Sequence, residues 1–210
     1  MILLIAVVAA AVIVQTAPAA AEAFKIKKEG TLEIKGKQHG SPGVWTFDTG
    51  SLSCNEETYT SAATGGTEVT EVSVAPTYSE CIAFGFFNVP IDVNGCIYRY
   101  TVVTKISQQY EGAKDIICPA GQVIKITAPG CTVTVGSQNA LGTVTFTNIG
   151  SGSTRELTID ENMTNIAYEE HRPLFGICAN NTVPKTNGTY VGSKLWTGVN
   201  DGLHRGIWVG

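Results

Sequence analysis

Charge is scarce in this chain of 210 residues, with 14 Lys and Arg against 18 Asp and Glu, a net charge of -4, and no run of basic residues. A nucleic-acid partner needs a basic stripe, so that class is excluded. The low charged fraction (15%) accompanies 43% hydrophobic residues, which excludes a disordered polar tail. Histidines number three, and His39, His171 and His204 are scattered. No pair of cysteines has the close spacing of a zinc site, so no metal and no cofactor are expected. Phosphate-binding glycine loops and a G-x-S-x-G nucleophile elbow are missing as well. After the N-terminal segment there is no second long apolar run, so no membrane span is expected in the mature chain.

That N-terminal segment is uniformly apolar from Ile2 to Val14, followed by the small-residue run Ala17 to Ala23 with its A-x-A triplets. The pattern is that of a secretory signal, read as residues 1–23 with a secreted domain over 24–210. The run is short for a membrane span of about 20 residues, although an uncleaved anchor is the rival reading. The expected location is extracellular or at the cell surface.

Six cysteines lie in the mature region: Cys54, Cys81, Cys96, Cys118, Cys131 and Cys178. An even number behind an export signal predicts three disulfides. Pairing Cys118 with Cys131 is awkward. The strand-like stretch from Gln122 to Thr127 carries the chain about 20 Å, while bridged Cα atoms lie within about 7 Å. Cys54 and Cys81 fit better, at the open end of a hairpin turning near Ala62–Gly66. The other pairings stay open.

The remainder reads as strands and turns. Thr143 to Thr147, Thr132 to Val135, Ile124 to Thr127 and Thr31 to Lys37 alternate polar and apolar residues, the mark of half-buried strands. Glu156 to Tyr168 could be read as helix or strand, and its Thr and Asn residues tip it to strand. Asn94-Gly95 predicts a type I′ hairpin between Pro90–Val93 and Cys96–Tyr100. A faint repeat relates Ile91–Tyr100 to Ile126–Val135, each with Gly-Cys just past a turn. About ten to twelve short strands in a single domain point to an antiparallel all-β sandwich, with a β-barrel as the alternative. Lysines cluster at Lys25, Lys27, Lys28, Lys35 and Lys37, whereas Asp48 to Glu80 contains six acids and no Lys or Arg. Edge protection is the reading for this pattern, ahead of a dipolar surface for self-association.

One motif tempts a catalytic reading. Phe47-Asp48-Thr49-Gly50-Ser51 resembles the active-site loop of aspartic proteases. Their chemistry needs two carboxyl groups sharing a proton. Only one motif occurs here, so such an enzyme would be a homodimer; otherwise Asp48-Thr49-Gly50 is turn chemistry. Asp92, Asn94, Asp160, Asn162, Asn200 and Asp201 lack the spacing of a calcium loop and read as turn residues. Trp45, Trp196 and Trp208 are candidate faces for sugar rings, and Phe84, Phe86 and Phe87 cluster just after Cys81; core placement is the competing reading for such aromatics. Asn162, Asn180 and Asn187 are glycosylation sequons, relevant only in a glycosylating host.

Gly95-Cys96-Ile97-Tyr98, Cys118-Pro119-Ala120-Gly121, Leu141 to Asn148, Asn187-Gly188-Thr189-Tyr190 and Gly206-Ile207-Trp208-Val209, behind an apolar export signal, resemble a family of uncharacterised secreted bacterial proteins. The resemblance implies a secreted, six-cysteine β-rich protein and supplies no mechanism. Thr-rich strands, few ionisable groups and no convergent acid–base constellation make the expected function a non-catalytic binding or adhesion domain, its partner a cell-wall polymer or polysaccharide. The alternatives are a homodimeric aspartic-type protease using Asp48 and a self-assembling extracellular structural protein.

Overall fold

A computed structural model describes residues 22–26, 32–63, 68–172, 176, 178, 183–200 and 202–210. The signal segment falls almost wholly outside the described residues, as do Asn180, Asp201 and the tip of the turn near Ala62–Gly66. Among the described residues no helix is long and apolar enough to cross a membrane.

The strands in chain order are β1 (Phe24–Ile26), β2 (Leu32–Gln38), β3 (Gly43–Phe47), β4 (Gly50–Ala63), β5 (Glu68–Val69), β6 (Glu71–Ala83), β7 (Phe87–Asn88), β8 (Ile91–Asp92) and β9 (Ile97–Ile106). They continue with β10 (Gln109–Ile117), β11 (Ile124–Ala128), β12 (Cys131–Val135), β13 (Thr143–Ile149), β14 (Glu156–His171), β15 (Lys185–Asn200), β16 (Leu203–Arg205) and β17 (Ile207–Val209). The chain is all-β, every ladder is antiparallel, and disulfides tie it together. Several strands are longer than expected: β4, β6, β14 and β15 run for 14, 13, 16 and 16 residues.

Their length follows from the pairing. Starting at β2, ladders run through β4, β6, β9, β10, β13, β14 and β15, and β15 pairs with β2 again. The circuit of hydrogen-bonded strands closes at β15. Closure leaves no free edge along the circuit. β3 continues where β2 stops, filling the same gap between β4 and β15. β12, β11 and β8 extend the sheet from the far end of β14. A separate sheet of β17, β1 and β5 packs on the core through Phe24, whose ring stands edge-on to Phe146 at 5.3 Å.

Inside the circuit the side chains alternate as a pleated strand requires. Val72, Val74, Tyr98, Tyr100, Val144, Phe146, Leu157, Ile159 and Trp196 point inward and are buried. Asn165 (φ 59°) lies within a register shift of β14, where an extra residue bends the strand. Gly112 sits at the bulge facing β9; a Cβ there would stand 2.0 Å from the Thr101 carbonyl oxygen.

All three bridges form. Cys54 and Cys81 face each other directly across β4 and β6, as the hairpin geometry suggested. Cys96 joins Cys118, one step beyond the terminal β9–β10 pair Ile97 and Ile117, and Cys131 joins Cys178. The Asn94-Gly95 turn forms with both φ angles positive (48° and 75°), but the hairpin does not. β8 pairs with β11, whereas β9 pairs with β6 and β10. The repeat therefore has no structural counterpart: Pro129-Gly130 closes a true β11–β12 hairpin and Asn94-Gly95 connects two different ladders. Edge protection does not explain Lys35 and Lys37 either, because β2 is paired on both sides.

Candidate functional site

Asp48 and Thr49 form the two-residue loop of the β3–β4 hairpin, between the paired Phe47 and Gly50. The Asp48 carboxylate is ion-paired with Lys185 and accepts a hydrogen bond from Asn187 Nδ2 at 2.5 Å. The Lys185 hydrogen bond, then that of Asn187, holds its pKa below the ordinary value, while the same contact raises that of Lys185. The Asp48 N–H donates to the Tyr168 hydroxyl at 3.0 Å, and the Thr49 hydroxyl donates to the buried Glu170 carboxylate at 2.6 Å. A proteolytic dyad needs a carboxyl that shares a proton with another. Asp48 instead has an amine and an amide as partners, the arrangement of a pinned turn.

Next to this turn, β6 and β7 are joined by the loop Phe84-Gly85-Phe86, between the paired Ala83 and Phe87. Phe84 (φ 55°) and Gly85 (φ 80°) both adopt left-handed backbone, a costly conformation for Phe84. The Phe84 N–H donates to the Ser51 carbonyl at 3.0 Å, which anchors the loop to β4. Gly50 lacks the Cβ that would stand 2.7 Å from the Phe84 ring. The result is an aromatic tip: Phe86 is 71% exposed and lies 4.2 Å from the Phe87 ring, which meets Phe84 edge-on. Of the tryptophans, Trp45 and Trp196 are buried and offer no face to a ligand. Trp208 is half-buried on β17, with the Arg155 guanidinium 4.9 Å from its ring. Among the sequons, Asn162 is exposed and Asn187 is engaged with Asp48 and Tyr168.

A second constellation lies inside the circuit. Glu57, Lys114, Glu161 and Lys194 are all buried. Glu161 Oε2 receives Lys114 Nζ at 3.0 Å and also contacts Lys194 Nζ; Tyr100 donates to Oε1. Glu57 Oε2 accepts the hydroxyls of Tyr59 and of Tyr190, the latter at 2.7 Å. Gly43 makes this possible, since a Cβ there would overlap Glu57 Oε1 at 1.9 Å and crowd the Tyr190 hydroxyl at 2.6 Å. Tyr78 and Tyr98 share a hydrogen bond of 2.5 Å, and Lys114 Nζ lies 3.8 Å from the Tyr98 ring centre. Two acids and two amines balance in charge. Desolvation pulls Lys114 down to about 8 against the opposing pull of Glu161. The two lysines outweigh desolvation at Glu161, whose pKa is held at about 2.

The signal for this centre was present in the alternation. Leu157, Ile159, Glu161 and Met163 occupy one phase of β14, as Tyr190, Lys194 and Trp196 do on β15. A charge in the apolar phase of a strand marks a buried ionic group, because burial demands a partner.

Burial, the first cause in each case, raises the pKa of Tyr59, Tyr78, Tyr98, Tyr100 and Tyr190 above the ordinary 10.0. The folded state favours the neutral phenol, so this stabilisation is complete below pH 10.0 and is lost as the pH rises through the raised values. Absorbance at about 295 nm, where phenolate absorbs, is expected to show these five phenols un-ionised in native protein at about pH 11, ionising only with unfolding. Ionisation of all seven tyrosines near pH 10.0 in folded protein would contradict their enclosure.

No protein-family model matches the chain, and comparison with curated proteins and with solved structures finds no match.

Proposed function

We propose that the chain is an exported, non-catalytic binding domain that holds a cell-wall polymer or polysaccharide at its Phe84–Phe87 tip. The observation that carries this reading is the 71% exposed Phe86 ring, presented on a left-handed loop beside a polar turn. Solvent contact is unfavourable for such a ring, and the Phe84 backbone is held in a costly conformation to present it. Flat aromatic faces stack on sugar rings. Asp48 on the neighbouring turn, with Lys185 and Asn187 of β15 against it, offers hydrogen-bonding groups. The Cys54–Cys81 bridge, two residues before the Ala83 base of the loop, fixes the scaffold.

Three disulfides support an oxidising location, and the apolar N-terminal segment supports export. The Ala23 carbonyl accepts the Gly210 N–H at 3.0 Å, so a cut after the A-x-A triplet ending at Ala21 keeps this contact and one after Ala23 removes it. The resemblance to uncharacterised secreted bacterial proteins fits this location and supplies no ligand.

The test is co-sedimentation of the oxidised chain with insoluble cell-wall and polysaccharide polymers. Retention is expected on at least one, competed by soluble fragments. Phe86→Ala should weaken it about tenfold, the upper value for one aromatic stack. No retention on any polymer, or equal retention of Phe86→Ala, overturns the proposal. Concentration-dependent particles without polymer binding would favour self-assembly.

A further inference from the structure

We propose that Lys194 and Glu161 condense in the folded chain, joining β15 to β14 through a side-chain amide with loss of water. Both side chains are 0% exposed, and they sit diagonally on the inward faces of paired strands, with Lys194 opposite Ile159 and Glu161 two residues further along. Lys194 Nζ lies against Glu161 Oε2 more closely than an ordinary hydrogen bond allows. Lys114 differs: it donates a regular hydrogen bond to Oε2 and is held over the Tyr98 ring. The two amines therefore have different roles, Lys194 as nucleophile and Lys114 as fixed cation.

The surroundings supply what amide formation requires. Holding amine and carboxyl in contact replaces a bimolecular encounter by an intramolecular one. Lys114 on Oε2 and the Tyr100 hydroxyl on Oε1 draw electron density from the carboxyl carbon and stabilise the tetrahedral oxyanion. A proton leaves the Lys194 ammonium, and the freed lone pair forms the N–C bond. A second nitrogen proton is lost as the C–Oε1 bond breaks. Both protons end on the departing oxygen, relayed through the Tyr100 hydroxyl, which is restored. Oε2 remains as the amide carbonyl, still bonded to Lys114. The products are one amide and one water; nothing is oxidised or reduced.

The driving force is electrostatic. A buried ion pair bears the desolvation cost of two charges, whereas an amide bears neither. After condensation Glu57 and Lys114 remain as one acid and one amine, so the centre stays balanced. The bond ties β15 to one of its two circuit neighbours, β14.

Mass spectrometry of the purified full chain, reduced and denatured, tests this. The expected result is a mass about 18 Da below that of the reduced sequence, one water lost to an amide. The protease digest should yield one branched peptide containing both Lys194 and Glu161. Lys194→Arg should restore the full mass and separate the two peptides. Separate, unmodified Glu161 and Lys194 peptides from folded wild-type chain would overturn the proposal, as would a water loss mapped elsewhere. The wild-type digest decides even where the arginine variant fails to fold.

Discussion

Glu161→Leu is expected to lower the unfolding free energy by about 3–5 kcal/mol, the cost of removing one partner from a buried charge cluster. The substitution leaves Lys114 and Lys194 enclosed with only Glu57 to balance them, and it takes from the Tyr100 hydroxyl its acceptor. It also removes any covalent tie that Glu161 makes. Glu56→Leu, at an exposed carboxylate on β4, should change stability by no more than about 0.5 kcal/mol. Urea unfolding of the two variants beside wild type gives the comparison. A loss below about 1 kcal/mol for Glu161→Leu would mean that the centre is open to water, since exposed pairs contribute only that much.

The second large effect is the removal of the disulfides. In the chain-entropy account the stabilisation grows with the loop closed. Cys96–Cys118 closes a separation of 22 residues and Cys131–Cys178 one of 47. The paired alanine variants should therefore lose about 3 and about 4 kcal/mol respectively. Reduction of all three bridges together approaches the whole stability of a domain, about 5–15 kcal/mol. Reduced protein is expected to lose its near-ultraviolet circular dichroism at 37 °C or below. Unchanged dichroism after full reduction would show that the closed circuit is stable without its cross-links.

Local pattern made much of the fold readable. Alternation located β11, β12 and β13, and the Thr and Asn residues correctly tipped Glu156–Tyr168 to a strand. Cys54 and Cys81 could be paired because both belong to one antiparallel ladder. The pairing of β15 with both β14 and β2 was not readable, since β2 and β15 lie at opposite ends of the chain and no local signal encodes their contact. The same limit explains Asn94-Gly95. Its φ angles follow from the residues themselves, but whether its flanks pair depends on β6, β10 and β11, which occupy their edges.

The candidate site divides in the same way. Asp48-Thr49-Gly50 was legible as a turn, and its likeness to a catalytic loop lay in turn residues that any tight hairpin uses. What the motif could not show is that Lys185 pairs with Asp48 and Asn187 donates a hydrogen bond to it from more than a hundred residues away. The Phe84–Phe87 cluster was visible, but exposure of Phe86 depends on the loop conformation at Phe84 and Gly85. Trp45 looked equally available and is instead enclosed, its ring tilted 4.9 Å from that of Tyr190.

The closed circuit underlies the enclosed charges, the raised tyrosine pKa values and the covalent tie, and Trp196 tests it at a single residue. Trp196 on β15 is opposite Leu157 of β14 on one side and Gly36 of β2 on the other. Cross-strand backbone nuclear Overhauser effects from Trp196 to both Leu157 and Gly36 are the predicted result. Contacts to only one of these neighbours would leave β15 with a free edge and contradict the closed architecture.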